Sequence, residues 1–229
     1  MIKACVFDLD GTLLDTLPAI RHFVNVFMEK HGLESISLQK TAEFVGDGAA
    51  RLIERAIGYS GIDKESEEGK RLFSLIHPDY VREYNDNPTY LTAPYDGIPE
   101  ALAALRSEGI ILAILSNKPH ETVKSLGEEY FPGAFDVILG AREGIPLKPD
   151  PESALEVCGL LGLEPSEVAY FGDTGVDIKT GKAFGAALTV GVLWGFRGKE
   201  ELSREGADAL IECPDRIVSI IKGEGSNEN

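Results

Sequence analysis

The pattern of apolar and polar positions predicts regular alternation of strands and helices from about residue 97 onward. Short apolar runs alternate there with segments whose apolar residues recur at helical spacing. The predicted strands cover 110–115, 135–139, 167–171, 186–192 and 208–212, and the predicted helices cover 98–108, 120–130, 151–162, 176–184 and 215–222. Such alternation is typical of right-handed βαβ units. We therefore predict an α/β fold with a doubly wound parallel sheet, a Rossmann-like core.

The segment from about residue 16 to residue 90 departs from this rhythm. Helical spacing of apolar residues predicts a helix over 18–31, and 47–57 and 65–84 also predict helices, with little strand signal between them. We predict a helical insertion between the first strand and the rest of the sheet. The predicted domains are a core of residues 1–15 and 91–222, a helical domain of residues 16–90, and a flexible polar tail of residues 223–229.

Two aspartates, Asp8 and Asp10, directly follow the first apolar run, Ile2 to Phe7. An ionised carboxylate at a strand end is costly unless it is paired or bound to a metal. Alternation along an extended chain lets Asp8 and Asp10 face one point, and Gly11 allows the backbone to turn sharply. Two carboxylates that converge at the carboxyl end of a strand suit a divalent metal and covalent chemistry.

Polar side chains also follow two later predicted strands and lie in one proline-containing turn. They are Ser116 and Asn117 after the strand 110–115, Lys148 in the turn 147–151, and Asp173 and Asp177 after the strand 167–171. Ligands of doubly wound sheets bind beyond the carboxyl ends of the strands. We therefore expect Asp8, Ser116, Lys148 and Asp173 to lie at one edge of the sheet.

These four elements, in this order, resemble the motifs of the haloacid dehalogenase-type phosphohydrolases, and they run from residue 8 to residue 177. Within that superfamily, the glycines of Gly46-Asp47-Gly48 and the run Ser-Asn-Lys-Pro at 116–119 are most similar to phosphoglycolate phosphatases. Those enzymes commonly carry Thr where Ser116 stands, so a hydroxyl is kept. The resemblance implies that the helical domain is a mobile cap over the active site.

The resemblance also implies a role for each motif residue. Asp8 would be the nucleophile that forms an aspartyl-phosphate, and Asp10 would act first as the general acid and then as the base. Lys148 would screen charge between the nucleophile and the phosphate. Mg²⁺ would be held by Asp8, the backbone carbonyl of Asp10 and Asp173, with Asp177 supporting this site. The expected phosphate and substrate contacts are Thr12, Ser116, Asn117, Lys148 and Arg51.

Several of these residues have an alternative structural explanation. Asp177 is equally consistent with a first-turn acid favoured by the helix dipole. Arg51 would either pair with a substrate carboxylate or be a solvated charge on a helix. Thr12 would orient the first loop or be a turn residue. Lys118 is either a substrate contact or a solvated lysine.

Composition mainly restricts the partners and the location of the protein. The 229 residues carry a formal net charge of −16, which argues against nucleic acid or an anionic membrane surface as a partner. A small phosphorylated metabolite is the expected partner, and a bound cation with a few basic groups would supply the local attraction. The widely spaced Cys5, Cys158 and Cys213 predict reduced, buried thiols in a cytoplasmic protein. The expected assembly is a monomer or a homodimer.

The leading functional hypothesis is a Mg²⁺-dependent phosphatase acting on a small phosphate monoester, with phosphoglycolate as the first candidate. A sugar phosphomutase shares the same catalytic set and would differ by releasing no phosphate with time. An inorganic pyrophosphatase of the same superfamily is a further alternative. A phosphorylatable switch of the response-regulator type is disfavoured, because the paired acids follow the first strand and Asp10 occupies the general-acid position.

Overall fold

The computed structural model describes residues 1–46 and 48–223. The chain divides into two compact units, a sheet unit formed by Met1–Asp15 with the residues from Ala93 onward, and a helical unit formed by Thr16–Thr92. Asp47 of the predicted glycine-rich loop lies outside the described residues. The predicted flexible tail also lies outside them from residue 224 onward.

The sheet unit is built on a six-stranded parallel sheet with the order β5-β4-β1-β6-β7-β8. The strands in chain order are β1 (Ala4–Phe7), β2 (Leu14–Asp15), β3 (Ala93–Pro94), β4 (Ile111–Pro119), β5 (Val137–Ala141), β6 (Val168–Gly172), β7 (Leu188–Val192) and β8 (Ala209–Ile211). The short strands β2 and β3 form a separate antiparallel pair. The predicted doubly wound parallel sheet is confirmed, and β4 continues four residues beyond its predicted end at Leu115.

Helices flank the sheet and make up most of the helical unit. In chain order they are α1 (Leu17–Lys30), α2 (Leu38–Phe44), α3 (Ala49–Tyr59), α4 (Glu67–Asp86), α5 (Ile98–Ser107), α6 (His120–Tyr130), α7 (Glu152–Leu161), α8 (Gly175–Phe184), α9 (Lys199–Arg204) and α10 (Arg216–Ile221). The sequence pattern did not predict α2 and α9. These helices have seven and six residues and each buries one residue, so they carry no readable period.

The position of β1 between β4 and β6 explains why its sequence is continuously apolar. All four of its residues are at most 1% exposed, because the strand is paired on both edges and covered on both faces. Cys5 and Phe7 belong to one hydrophobic cluster, and Ala4 and Val6 belong to the cluster on the opposite face. The ring of Phe7 stacks on Phe171 of β6 with 4.8 Å between centroids. The sheet thus has one hydrophobic core on each face, and β1 contributes side chains to both.

The helical unit packs its helices on their apolar faces. The buried face of α1 consists of Ala19, Ile20, Phe23, Val24, Phe27 and Met28. The side chain of Asn25 accepts a hydrogen bond from the Ile36 N–H at 2.8 Å and donates to the Ile36 carbonyl at 2.9 Å. These two hydrogen bonds fasten the segment after α1 to the helix. The hydroxyls of Ser37 and Ser66 cap α2 and α4.

The three cysteines differ in their surroundings. Cys5 and Cys158 are buried free thiols, as predicted, whereas Cys213 is exposed. The prediction of burial is wrong for Cys213 because the residue lies in the turn between β8 and α10, beyond the apolar strand that precedes it. Within the described part of the chain, none of the helices is both long enough and apolar enough to cross a membrane.

Two helical glycines provide a matched test of this packing. A Cβ added at Gly181 of α8 would lie 2.6 Å from the side chain of Thr189 on β7, whereas nothing lies within 4 Å of a Cβ at Gly159 of α7. We expect Gly181→Ala to lower the free energy of unfolding by about 1–3 kcal/mol through overpacking. Gly159→Ala should raise it by roughly 0.5–1 kcal/mol, since alanine favours the helix. Urea denaturation measures both, and stabilisation by Gly181→Ala would contradict the close packing.

Candidate active site

A tight turn after β1 presents the first two acids. The backbone N–H of Asp8 donates to the Phe171 carbonyl at 2.9 Å, which extends the pairing of β1 with β6 by one residue. The Leu9 carbonyl then accepts hydrogen bonds from the next turn of the chain, donated by the N–H groups of Thr12, Leu13 and Leu14. Gly11 has a φ of 86°, a conformation that favours glycine. The side chain of Asp8 is 11% exposed and that of Asp10 is 21% exposed.

Lys148 forms the centre of a buried ion cluster. Its Nζ lies 2.8 Å from Asp8 Oδ1 and 2.7 Å from Asp177 Oδ1, and it donates to the Leu115 carbonyl at 3.1 Å. The Lys148 side chain is only 3% exposed. A lysine at this depth is costly unless its charge is paired, and here two carboxylates pair with it while Asp177 and the Leu115 carbonyl accept its hydrogen bonds.

Asn117 holds the turn that carries Lys148. Its Oδ1 accepts from the Lys148 N–H at 2.8 Å, and its Nδ2 donates to the Lys148 carbonyl at 3.1 Å. Alternation along β4 places Ser116 and Lys118 on the other side of the strand. The hydroxyl of Ser116 accepts from the Lys118 N–H at 3.3 Å. Neighbouring residues of one strand therefore serve two different parts of the site.

Asp173 lies in a close-fitting cradle and is fully buried. It accepts a hydrogen bond from the Phe196 N–H at 2.7 Å and one from the Thr12 hydroxyl at 3.3 Å. A Cβ at Gly11 or at Gly195 would collide with the Asp173 side chain. Both glycines are thus required for space, and Gly11 is required for its backbone conformation as well.

Asp177 combines the two roles that its sequence position left open. Its Oδ2 accepts from the N–H of Thr174 at 3.1 Å and from the Thr174 hydroxyl at 2.6 Å, which caps the first turn of α8. Its Oδ1 accepts from Lys148 at 2.7 Å and from the Tyr170 hydroxyl at 3.4 Å. Both carboxylate oxygens of Asp177 are therefore engaged by protein donors.

The cluster shifts the acid–base properties of its members. Burial raises the pKa of Asp8 to about 7, with a further rise from Asp177 that the charge of Lys148 opposes. Burial, followed by the charges of Asp177 and Asp8, also raises the pKa of Asp173 well above its usual value. Burial alone would lower the pKa of Lys148, but the charges of Asp177 and Asp8 outweigh it and raise that pKa. The site thus carries more negative charge than the protein neutralises.

The acids of this cluster fit a divalent cation. Carboxylate oxygens of Asp8, Asp173 and Asp177 all lie within 4.8 Å of one another. Asp8 Oδ1 is close enough to Lys148 for an ion pair, but it is buried without a well-directed hydrogen bond. Three carboxylates beside one ammonium leave two negative charges, and oxygen donors are what Mg²⁺ prefers. Among the described residues, Asp8 Oδ1 accepts no well-directed hydrogen bond, each oxygen of Asp173 accepts one, and the two oxygens of Asp177 together accept four, so Asp177 is the least available ligand of the three.

Comparison with known proteins agrees with this arrangement. The family model of the haloacid dehalogenase-like hydrolases matches residues 2–185. The chain belongs to this family. The match includes every motif from Asp8 to Asp177, so the resemblance predicted from those motifs is confirmed.

Several full-length relatives of this haloacid dehalogenase-like hydrolase are phosphatases. The phosphoglycolate phosphatase of Aquifex aeolicus is 32% identical over 221 residues, which cover 96% of this chain and 97% of the relative. The N-acetylmuramic acid 6-phosphate phosphatase of Pseudomonas aeruginosa is 31% identical over 222 residues, which cover 96% and 95%. A crystal structure of a candidate phosphoglycolate phosphatase from Lactobacillus delbrueckii superposes with a TM-score of 0.85 at 31% identity, covering 96% of this chain and 98% of that one.

The predicted site residues of this hydrolase fall into three groups. Asp8, Lys148, Asp173 and Asp177 come together in the buried cluster, and Asp10 and Ser116 lie beside it along the chain. Thr12 and Asn117 direct their side chains to Asp173 and to the Lys148 backbone. Their expected contacts with phosphate stay predictions. For Asn117 the expected contact is made by the backbone N–H. Arg51 lies on α3 of the helical unit, where it donates to Glu54 at 2.7 Å, and its substrate contact also stays a prediction.

The loop after β7 also contributes to the site, although the sequence pattern did not predict it. Its Trp194 donates from Nε1 to the Thr12 carbonyl at 3.0 Å, and its Phe196 N–H binds Asp173. Gly195 lies against the Gly11 carbonyl, where a Cβ would collide. The position of this loop at the carboxyl end of a predicted parallel strand was the signal that could have identified it.

Asp8→Asn tests the excess negative charge of the site. The pKa of Asp8 is raised from 3.8 to about 7 in the folded protein. Protonated Asp8 therefore contributes stability at low pH, and this contribution is lost as the pH rises through 7. In excess chelator, the variant should therefore be more stable than the wild type above pH 7 by at least about 1 kcal/mol, or roughly 2–4 °C in Tm. The difference should shrink toward pH 4. Thermal unfolding across this range measures it, and a less stable variant at pH 8 would refute the charge excess.

Proposed function

We propose that this protein is a Mg²⁺-dependent phosphatase that hydrolyses a small phosphate monoester through an aspartyl-phosphate. The observation that carries the proposal is the buried cluster in which Lys148 lies 2.8 Å from Asp8, within a group of carboxylates that fits a divalent cation. Membership of the haloacid dehalogenase-like hydrolases and the phosphatase relatives support the same chemistry.

The first half of the reaction forms the covalent intermediate. A carboxylate oxygen of Asp8 attacks the phosphorus atom, and the bond from phosphorus to the ester oxygen breaks. Asp10, in its protonated form, gives its proton to the departing oxygen, so that the product leaves as an alcohol. Lys148 reduces the repulsion between the anionic nucleophile and the anionic phosphate, and the hydroxyl of Ser116 binds a phosphoryl oxygen.

The second half regenerates the enzyme. Asp10, now a carboxylate, takes a proton from a water molecule, which attacks the phosphorus of the aspartyl-phosphate. The bond between Asp8 and phosphorus breaks, and inorganic phosphate leaves. Asp10 therefore returns to its protonated form and Asp8 to its carboxylate, so that protons balance over one cycle.

Asp8, Asp173 and the backbone carbonyl of Asp10 would hold the Mg²⁺ ion. When bound, the ion neutralises phosphate charge and the negative charge that Lys148 leaves uncompensated. Thr12 and Phe196 orient Asp173 through hydrogen bonds at 3.3 and 2.7 Å, and Asp177 orients Lys148 through its contact at 2.7 Å. These contacts preorganise the site, since the side chains need little rearrangement before the reaction.

The names of the relatives supply two candidate substrates. Phosphoglycolate is the first, because several relatives of nearly full-length coverage are phosphoglycolate phosphatases. N-acetylmuramic acid 6-phosphate is the second, because a relative of similar identity and coverage acts on it by name. Both are small phosphate monoesters that also carry a carboxylate.

We further propose a cytoplasmic enzyme of small metabolites. The net charge of −16 disfavours nucleic acid and anionic membrane surfaces, and the buried free thiols of Cys5 and Cys158 suit a reducing compartment. A monomer or a homodimer stays the expected assembly.

Phosphate release from a panel of compounds tests the proposal. The panel contains phosphoglycolate, N-acetylmuramic acid 6-phosphate, hexose phosphates and pyrophosphate, each with Mg²⁺ and with excess chelator. We expect Mg²⁺-dependent release from one or both of the first two substrates. Asp8→Asn should lower kcat by at least roughly 10⁴-fold, whereas Asp86→Asn on the surface of the helical unit serves as the unaffected control.

The same assay separates the alternatives. Conversion of a hexose phosphate to its isomer without accumulating phosphate would indicate a phosphomutase, and selective release from pyrophosphate would indicate a pyrophosphatase. Undiminished release in chelator, or by the Asp8→Asn variant, would refute the mechanism.

A further inference from the structure

Lys118 is a buried lysine to which the mechanism above gives no task. Its side chain is 4% exposed, and its Nζ donates to Asp10 Oδ1 at 3.0 Å. Lysine is almost never buried unless its charge is paired, because desolvation of the ammonium is costly. The sequence left Lys118 as either a substrate contact or a solvated residue. The structure excludes the solvated residue and places its ammonium on the acid that would handle the protons.

A strand, rather than a loop, carries this lysine. Lys118 lies within β4, in the stretch between Leu115 and Pro119 where the register of β4 with β5 shifts. The hydroxyl of Ser116, two residues earlier, accepts a hydrogen bond from the Lys118 N–H at 3.3 Å. On β5, a Cβ at Gly140 would lie 2.6 Å from the Lys118 carbonyl, so the two strands approach closely here. The Gly140 N–H donates to His120 Nδ1 at 3.2 Å at the start of α6. The Lys118 N–H is thus hydrogen-bonded to Ser116, and the Lys118 carbonyl packs closely against β5.

The two buried lysines of the site contact different acids. Lys148 contacts Asp8 and Asp177, whereas Lys118 contacts Asp10. The side chain of Asp10 is 21% exposed, about twice as exposed as that of Asp8, and its hydrogen bond from Lys118 restricts its orientation. Proton transfer requires Asp10 within hydrogen-bond distance of the ester oxygen and later of water. A freely rotating carboxylate would lose much of the advantage of a fixed position.

We propose that Lys118 is a positioning residue, which donates to Asp10 Oδ1 and so holds this side chain at the site while the other oxygen, Oδ2, carries the proton in both transfers. This inference rests on the proposed function, because the role of Asp10 is part of it. Lys118 itself acts through Asp10 and touches no reacting atom. The competing explanation is that Lys118 binds an anionic group on the alcohol part of the substrate.

The two explanations predict different dependences on the substrate. Loss of a positioning residue should lower kcat most for the substrates whose leaving oxygen needs a proton, whatever the charge of the alcohol. Loss of an anion-binding residue should weaken the binding of carboxylate-bearing substrates and spare neutral ones. p-Nitrophenyl phosphate tests the first step without proton transfer, since its leaving group departs as a stable anion.

The experiment compares Lys118→Met, which removes the ammonium and keeps a long side chain, with the wild type. Lys179→Met is the matched control, because Lys179 is an exposed lysine that pairs with Glu205 on the surface. The substrates are phosphoglycolate, the neutral alkyl ester 2-hydroxyethyl phosphate, and p-nitrophenyl phosphate, all with Mg²⁺. We expect kcat for both alkyl esters to fall by about 10²–10³-fold with KM nearly unchanged. p-Nitrophenyl phosphate should give a rapid burst of product followed by slow turnover, because only its second step needs Asp10.

Further variants separate positioning from a merely structural role. Lys118→Arg keeps a cation and should recover part of the lost kcat, and in an Asp10→Asn background Lys118→Met should cause no additional loss. Full activity of Lys118→Met would overturn the proposal, and so would a loss confined to KM for phosphoglycolate. An equal loss on all three substrates without a burst would also overturn it. Absence of phosphate release by the wild type itself would instead refute the proposed function, and the inference with it.

Discussion

The ion cluster of Lys148 with Asp8 and Asp177 is the interaction on which the rest of the site depends. It joins the turn after β5 to the turn after β1 and to the first turn of α8, three segments that are distant in the sequence. Each of these charges would be costly to bury alone, and removal of Lys148 would leave both carboxylates without their compensating charge. The three segments therefore have to be in place together, which makes the geometry of the site a property of the folded sheet.

The charges of the cluster suit a cation-binding site but lower the stability of the fold. A protein selected only for stability would not bury three carboxylates with one ammonium, and the raised pKa values of Asp8 and Asp173 express that cost. The sheet around the cluster offsets it, because its central strand is buried on both faces and packs into two hydrophobic cores. Burial of apolar side chains in the scaffold offsets the unfavourable charge arrangement at one edge of the sheet.

The fold was predictable because buried parallel strands and amphipathic helices leave strong, regular patterns. The short helices α2 and α9 were missed, since their one or two turns are too brief for such a pattern. Convergence of the acids was predictable from the rule that strand ends meet at one edge of the sheet. The partners of individual side chains were not, because Asn117 binds the backbone of a residue 31 positions away and Thr12 binds an acid 161 positions away. Burial of Lys118 was hidden for the same reason.

Trp194 is the single tryptophan of the chain, and its indole is hydrogen-bonded to the turn that carries Asp8 and Asp10. Fluorescence excited selectively in tryptophan therefore comes from one place in the molecule, beside the turn after β1. A shift of this turn that breaks the hydrogen bond from Trp194 to the Thr12 carbonyl would change the polarity around the indole, and with it the wavelength of emission. The loop after β7 thus gives the protein an intrinsic optical reporter, so ligand binding at this edge of the sheet is observable without an added label.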